Sequence, residues 1–151
     1  MRLTFLSVGK DRSGLFAPGV DEYLKRLGHV AKVQSIELGA SRATGEEARD
    51  EEARALVGKL GPRDVLVALD QGGKVLGSVE FARWLGRQQD QAKDVAFAIG
   101  GDEGLGAAVR ERAALVLSLS AMTLPHRLAR LVLAEQVYRA FTILRGEPYH
   151  K

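Results

Sequence analysis

The residues of this chain whose types and spacing suit chemistry fall in two neighbouring stretches and at the end. Val95-Ala96-Phe97-Ala98-Ile99 is an apolar run that stops at Gly100-Gly101-Asp102-Glu103-Gly104-Leu105-Gly106. Leu115-Val116-Leu117-Ser118-Leu119-Ser120 repeats the pattern and leads into Ala121-Met122-Thr123-Leu124-Pro125-His126. A short apolar run bounded by turn signals suits a strand buried on both faces. In open α/β sheets, ligands bind beyond the carboxyl ends of such strands. Two small-residue loops at two strand ends therefore predict a frame for one ligand. Glycine lets backbone groups approach a ligand without a Cβ in the way. Spacing of the G-G-x-x-G kind is a weak signal, and Gly100, Gly101 and Gly104 serve a tight turn equally well.

Charge is unevenly spread. Residues 1–106 carry 15 Lys and Arg against 16 Asp and Glu, whereas residues 107–151 carry 7 against 3. His126 and His150 also lie in that basic end. A basic end beside a ligand site fits a polyanion such as RNA. A solvated helix face with spare arginines fits as well.

With 151 residues, one domain spanning 1–151 is expected, long enough for a real core. At 46% hydrophobic and 27% charged, the composition is that of a globular protein and not of a disordered one. The chain has no cysteine, hence no disulfide, thiolate metal site or cysteine nucleophile. No metal site is expected. There is neither a long apolar run nor a signal-peptide pattern, so a cytoplasmic location is the expectation.

The elements that must position the loops follow from pattern. Arg2–Val8 reads as a strand, Gly9–Gly14 as a polar loop without phosphate-binding spacing, and Val20–Leu27 as a short helix. Val30–Leu38 is a second strand, and Thr44, with Glu47 three residues on, is the expected cap of a helix over Gly45–Leu60. Asp64–Leu69 is a third strand, stopped by Asp70-Gln71-Gly72-Gly73. Ser78 is expected to cap a helix to about Gln89, and Asp94 to open the fourth strand. Gly104–Ala114 reads as a helix and Leu115–Ser120 as the fifth strand. Pro125 stands in the first turn of a last helix that runs to Leu144 and is ended by Gly146 and Pro148. Strands alternating with helices predict an α/β fold with a mainly parallel sheet covered on both faces.

The last helix is apolar over much of its circumference. Leu128, Leu131 and Val132 form one stripe, and Leu133, Val137, Phe141 and Leu144 a second, with Tyr138 between. One stripe can face the sheet; the other must be buried too, which predicts a homodimer through this helix. Burial within a single chain's own core is the alternative.

Ile99-Gly100-Gly101-Asp102-Glu103-Gly104, the segment Leu117 to His126, and Pro148-Tyr149-His150-Lys151 resemble the SPOUT-class RNA methyltransferases. Within that class the chain is similar to the small ribosomal RNA pseudouridine N3-methyltransferase family. The likeness extends over the whole chain, including Val8-Gly9, Glu22-Tyr23 and Leu69-Asp70. One departure is Asp102, where the family usually carries proline. The resemblance implies a trefoil knot in the last third of the chain, S-adenosylmethionine as cofactor, and a homodimer. It implies methyl transfer to N3 of a pseudouridine in large-subunit ribosomal RNA within the assembled ribosome. It also implies that Leu69, Gly100 and the segment Leu119, Ser120, Ala121, Met122, Thr123 and Leu124 cradle the cofactor.

The residue types agree with that chemistry. The sulfonium methyl is already activated, so the protein must align donor and nitrogen and let the imide proton leave. Leu119, Met122 and Leu124 offer apolar contact to adenine, and Ser120 and Thr123 offer hydroxyls that could equally cap the loop. His126, Tyr149 and His150 are the titratable groups expected near the target base, since a histidine takes a proton near neutral pH. His126 starts a helix, whose dipole disfavours its cation, so a structural role there is the alternative. Arg127, Arg130, Arg139 and Lys151 are the candidate phosphate contacts. Terminal residues such as 149–151 are ordinarily frayed. Two other readings remain: a small-molecule α/β transferase, and an RNA-binding module without activity.

Overall fold

The computed structural model describes residues 1–11 and 14–151. Residues 12 and 13 of the expected loop Gly9–Gly14 lie outside the described residues. The elements run β1 (Arg2–Val8), α1 (Ala17–Leu27), β2 (Lys32–Leu38), α2 (Gly45–Val57), β3 (Val65–Val75), α3 (Ser78–Asp90), β4 (Val95–Ile99), α4 (Ala107–Arg112), β5 (Leu115–Ser118) and α5 (His126–Leu144). The strands form one parallel sheet, as the alternating pattern predicts; their order is β2-β1-β4-β3-β5.

Period-two alternation divides each inner strand between two cores. Leu3 and Phe5 of β1, Val67 and Leu69 of β3, and Val95, Phe97 and Ile99 of β4 face α1, α3 and α5. Phe97 anchors that side, with the Phe5 ring 5.3 Å and the Phe81 ring 6.3 Å from it, centre to centre. Leu6, Val8, Leu66, Ala68, Ala96 and Ala98 face α2 and α4. Three of these are alanines, which lets the second helical layer sit close. Burying each large side chain fully stabilises the fold by about 1.5–3 kcal/mol.

Several boundaries differ from expectation, each for a local reason. Helix α1 begins at Ala17 because Pro18 fits its first turn. Strand β2 begins at Lys32, since residues 28–31 continue the turn that ends α1. Thr44 occupies the N-cap of α2, but its side chain makes no capping bond. That loop is held instead by Ser41, whose N–H donates to Glu52 at 2.8 Å and whose hydroxyl donates to Glu51. Gly77, not Ser78, caps α3; its N–H donates to Glu80 at 3.2 Å, while the Ser78 hydroxyl donates to Gln136 of α5 at 2.7 Å. Helix α4 is shorter than expected because Gly104 adopts φ +80°, a left-handed turn residue that no helix continues through. Strand β5 stops at Ser118, whose hydroxyl turns back to the Ser120 carbonyl at 2.9 Å.

The largest difference lies in β3. Asp70-Gln71-Gly72-Gly73 does not stop it; the strand continues to Val75. Leu69 and Lys74 both pair with Leu117, so residues 70–73 bulge out between two stretches of pairing with β5. Gly73 makes the return possible, since a Cβ there would stand 2.7 Å from the Val116 carbonyl oxygen.

Helix α5 crosses the sheet between α1 and α3. Its second stripe (Leu133, Val137 and Phe141) is buried against the sheet, so these residues belong to the core of one chain. Leu131 of the first stripe presses on Gly19 of α1, and Leu144 on Gly86 of α3. Leu128 and Val132 stay half-buried on the outer side. Among the described residues no helix is long and apolar enough to cross a membrane.

Candidate active site

Register brings Leu69 of β3, Ile99 of β4 and Leu117 of β5 into one row at the carboxyl ends of three adjacent strands. Above that row lies a cavity of about 770 Å³. One wall is the loop after β4, from Gly100 to Leu105; the facing wall is the loop after β5, with Leu119, Ser120, Met122, Thr123, Leu124 and Pro125. The two loops do frame one site, but β3 stands between their strands and supplies Asp70 and Gln71 as well.

The β4 loop is a turn that only glycine permits. A Cβ on Gly100 would stand 2.5 Å from the Gly104 carbonyl, inside the turn. The Gly104 N–H donates to the Gly101 carbonyl at 3.0 Å and closes it. Gly100 is therefore required first by the turn, and its effect on the cavity follows from the shape that the turn takes.

The β5 loop is organised by hydrogen bonds. The Met122 N–H donates to the Ser120 hydroxyl at 2.9 Å. The Thr123 hydroxyl donates to Gln71 Oε1 at 2.9 Å, and Gln71 Nε2 donates to the Ala121 carbonyl at 3.1 Å. Both loop hydroxyls thus hold the loop itself. Leu119 and Leu124 turn toward the cavity, Met122 is 77% exposed at its rim, and Ala121 does not line it.

His126, the first residue of α5, lines the cavity. Its Nδ1 lies 3.2 Å from Asp102 Oδ1, so the two loops meet across the mouth through an Asp–His pair. Nε2 lies on the Gly9 side, 3.9 Å from where a Cβ on that residue would stand. Asp70, Asp102 and Glu103 give this part of the cavity an acidic lining, with Arg127 as its basic side chain opposite.

Of the remaining candidates, Arg127 lines the cavity and the others lie apart from it. Tyr149 and His150 fold back along α5. The Tyr149 hydroxyl donates to Glu135 at 2.9 Å and accepts from Tyr23 at 3.3 Å; its ring meets Tyr138 edge-on at 4.9 Å. Burial pushes the Tyr149 phenol above its usual range, and the bonds to Tyr23 and Glu135 push in the same direction. Arg139 holds Glu135 through two bonds of 3.1 Å and reaches His150 Nδ1 at 3.0 Å. The bond to Glu135 keeps its guanidinium above the usual range. Glu135 stands nine residues along α5 from His126, about 13 Å of helix. Arg130 pairs with Glu37 at 2.9 Å and Ser35 at 2.8 Å, and Arg127 lies 3.8 Å from Asp11. Lys151 is exposed.

Pattern reading missed Phe16, Asp70, Gln71 and Ala129, which also line the cavity. For Asp70 and Gln71 the signal was present: a glycine-containing loop after an apolar strand, the same signal that marked residues 100–104. Phe16 and Ala129 arrive by tertiary packing and carry no local mark.

The family described as Predicted SPOUT methyltransferase matches residues 1–150. The chain is 56% identical to a protein of Anaeromyxobacter sp. (strain Fw109-5) named Ribosomal RNA large subunit methyltransferase H, with all of both chains covered. It is 46% identical to a protein of that name in Gemmatimonas aurantiaca, again over all of both. It is 40% identical to another in Streptococcus thermophilus, also over both full lengths. Among solved structures, a probable methylase family protein from Haemophilus influenzae Rd KW20 superposes with TM-score 0.56 at 10% identity. That superposition covers 99% of this chain and 70% of the other, a likeness of fold.

Proposed function

Because the chain belongs to the SPOUT methyltransferase family, we propose that it transfers a methyl group from S-adenosylmethionine to N3 of a pseudouridine in large-subunit ribosomal RNA. The observation that carries this reading is the end-to-end likeness to relatives named for large-subunit ribosomal RNA methylation. The cavity fits the cofactor. Its 770 Å³ is of the size that ligand sites take, its floor of Leu69, Ile99 and Leu117 suits an adenine, and its carboxylates suit a cationic donor.

The bound cofactor supplies a methyl group already activated as a sulfonium. The chain's own task is to hold, align and take up a proton. Leu69, Leu119 and Leu124 give apolar contact. The backbone of Gly100 and of residues 119–124 offers the N–H and C=O groups that read an adenosine. His126, beside Asp102 at the mouth, is the titratable side chain offered to the imide proton. Arg127, Arg130, Arg139 and Lys151 face the RNA phosphates, the paired arginines by exchanging carboxylate partners for phosphate.

Tyr149 and His150 enter the site of a second copy, with the half-buried Leu128 and Val132 on the outer side of α5 supporting a homodimer. The substrate is the assembled ribosome in the cytoplasm. The last third of the chain is a trefoil knot, a reading supported by membership of the SPOUT methyltransferase family.

Calorimetric titration of S-adenosylmethionine, followed by methyl transfer to ribosomal subunits, tests the reading. The expected result is binding plus methylation of large-subunit RNA, and loss of one N3-methylated nucleoside from ribosomes of a strain lacking the protein. Binding without transfer to ribosomes would favour a small-molecule transferase; RNA affinity without cofactor binding would favour a module without activity.

A further inference from the structure

The segment between β5 and α5 lines the cavity without regular secondary structure, so something must give it a shape. Within it the Met122 N–H is taken by Ser120. From outside, Gln71 touches it twice, at the Ala121 carbonyl and the Thr123 hydroxyl.

We propose that Gln71 is a positioning residue for the cofactor loop: its carboxamide, presented by the β3 bulge, holds residues 121–123 in the shape that receives S-adenosylmethionine. This rests on the function proposed above for the same cavity.

Gly73 allows β3 to rejoin β5 after a four-residue excursion, Asp70 to Gly73. That excursion carries Gln71 out of the sheet and over the following loop. The Ala121 carbonyl can only accept, so it must face the NH₂ end of the amide. The C=O end is then left to take the Thr123 hydroxyl. Only one orientation of the carboxamide satisfies both partners, and no carboxylate or shorter amide replaces it. A loop ordered in advance binds more tightly because less freedom is lost on binding.

The test compares Gln71→Ala, Gln71→Glu, Thr123→Val and Thr123→Ser with the wild type. Gln71→Ala should raise the Kd for S-adenosylmethionine about tenfold. KM for the donor should rise in step, with kcat nearly unchanged at saturation. Gln71→Glu cannot donate to Ala121 and should lose at least as much. Thr123→Val should weaken binding, and Thr123→Ser should restore it. Adding Thr123→Val to Gln71→Ala should cost almost nothing more, because the two act as one latch.

Amide exchange in the ligand-free protein supplies a second readout: residues 119–124 should exchange faster in Gln71→Ala while the sheet is unaffected. Unchanged Kd and unchanged exchange in Gln71→Ala would overturn the latch, as would simple additivity of the two substitutions. A wild type that binds no S-adenosylmethionine would overturn the function instead, and the exchange result would still decide the latch.

Discussion

Tyr149 donates a 2.9 Å hydrogen bond to Glu135, fourteen residues earlier on the outer side of α5. The same carboxylate holds Arg139, and Arg139 lies over the Tyr149 ring at 4.8 Å. Two terminal residues that ordinarily fray, Tyr149 and His150, are thereby tied to a helix. Each contact joins a charged or polar group to a partner that is itself held, so the tail is pre-arranged before it meets anything else.

The tail contact should depend on pH at the alkaline end. The Tyr149 phenol is raised above its unfolded value of about 10, so its neutral form is favoured in the folded protein. The stabilisation it contributes is complete below pH ~10 and is lost as pH rises through the folded-state value. Urea unfolding from pH 8 to 11 should show the onset of this loss above pH ~10 in the wild type. Tyr149→Phe should remove that pH-dependent component and lower stability at pH 8 by about 0.5–1.5 kcal/mol. Identical alkaline profiles for the two proteins would contradict it.

Gly100→Val should abolish cofactor binding by rebuilding the β4 loop, since its side chain collides with the Gly104 carbonyl rather than only with the ligand. A lowered melting temperature should accompany the lost calorimetric signal. Gly104→Ala is the graded control. Nothing stands within 4 Å of its Cβ, but φ +80° costs a non-glycine residue about 1 kcal/mol. It should bind the cofactor more weakly than the wild type and better than Gly100→Val.

Substitutions on two sides of α5 should separate folding from assembly. Val137 and Phe141 are 0% and 2% exposed in the core, so Val137→Glu or Phe141→Asp should unfold the chain through an unpaired buried carboxylate. Val132 is half-buried on the outer side, and Val132→Glu should leave a folded protein. Sedimentation should find that variant monomeric and the wild type dimeric. A monomeric wild type would remove the shared site.

Deleting residues 149–151 should leave a folded but less stable protein with S-adenosylmethionine affinity nearly intact, and abolish methyl transfer to ribosomes. Mixing this truncation with Gly100→Val should restore part of the activity, because one site of a heterodimer keeps both an intact loop and a partner's tail. Full activity of the truncated protein would remove the tail from the reaction. Absence of rescue despite subunit exchange would place the tail's role within one chain.

What the sequence by itself determined was local and periodic. Apolar runs such as Val95–Ile99 carry their burial in their own composition, because a strand covered on both faces has no polar side to show. Alternation of such runs with helical patterns was enough for a parallel α/β sheet, and apolar runs ending in loops of small residues were enough to locate the cavity. Distant partners decided the rest. Thr44 and Ser78 carry the capping signal, but caps compete with tertiary bonds, and Ser78 binds Gln136 of α5 instead. The glycines of residues 70–73 mark a stop by local rules. Only the approach of β5 shows that Gly73 lets the strand resume. Which stripe of α5 meets the sheet, that Asp102 reaches His126, and that Tyr149 docks on Glu135 depend on side chains that packing brings together from separate elements. Hydrophobic period is written along one segment, whereas hydrogen-bond partners across a fold are chosen only once every segment is in place.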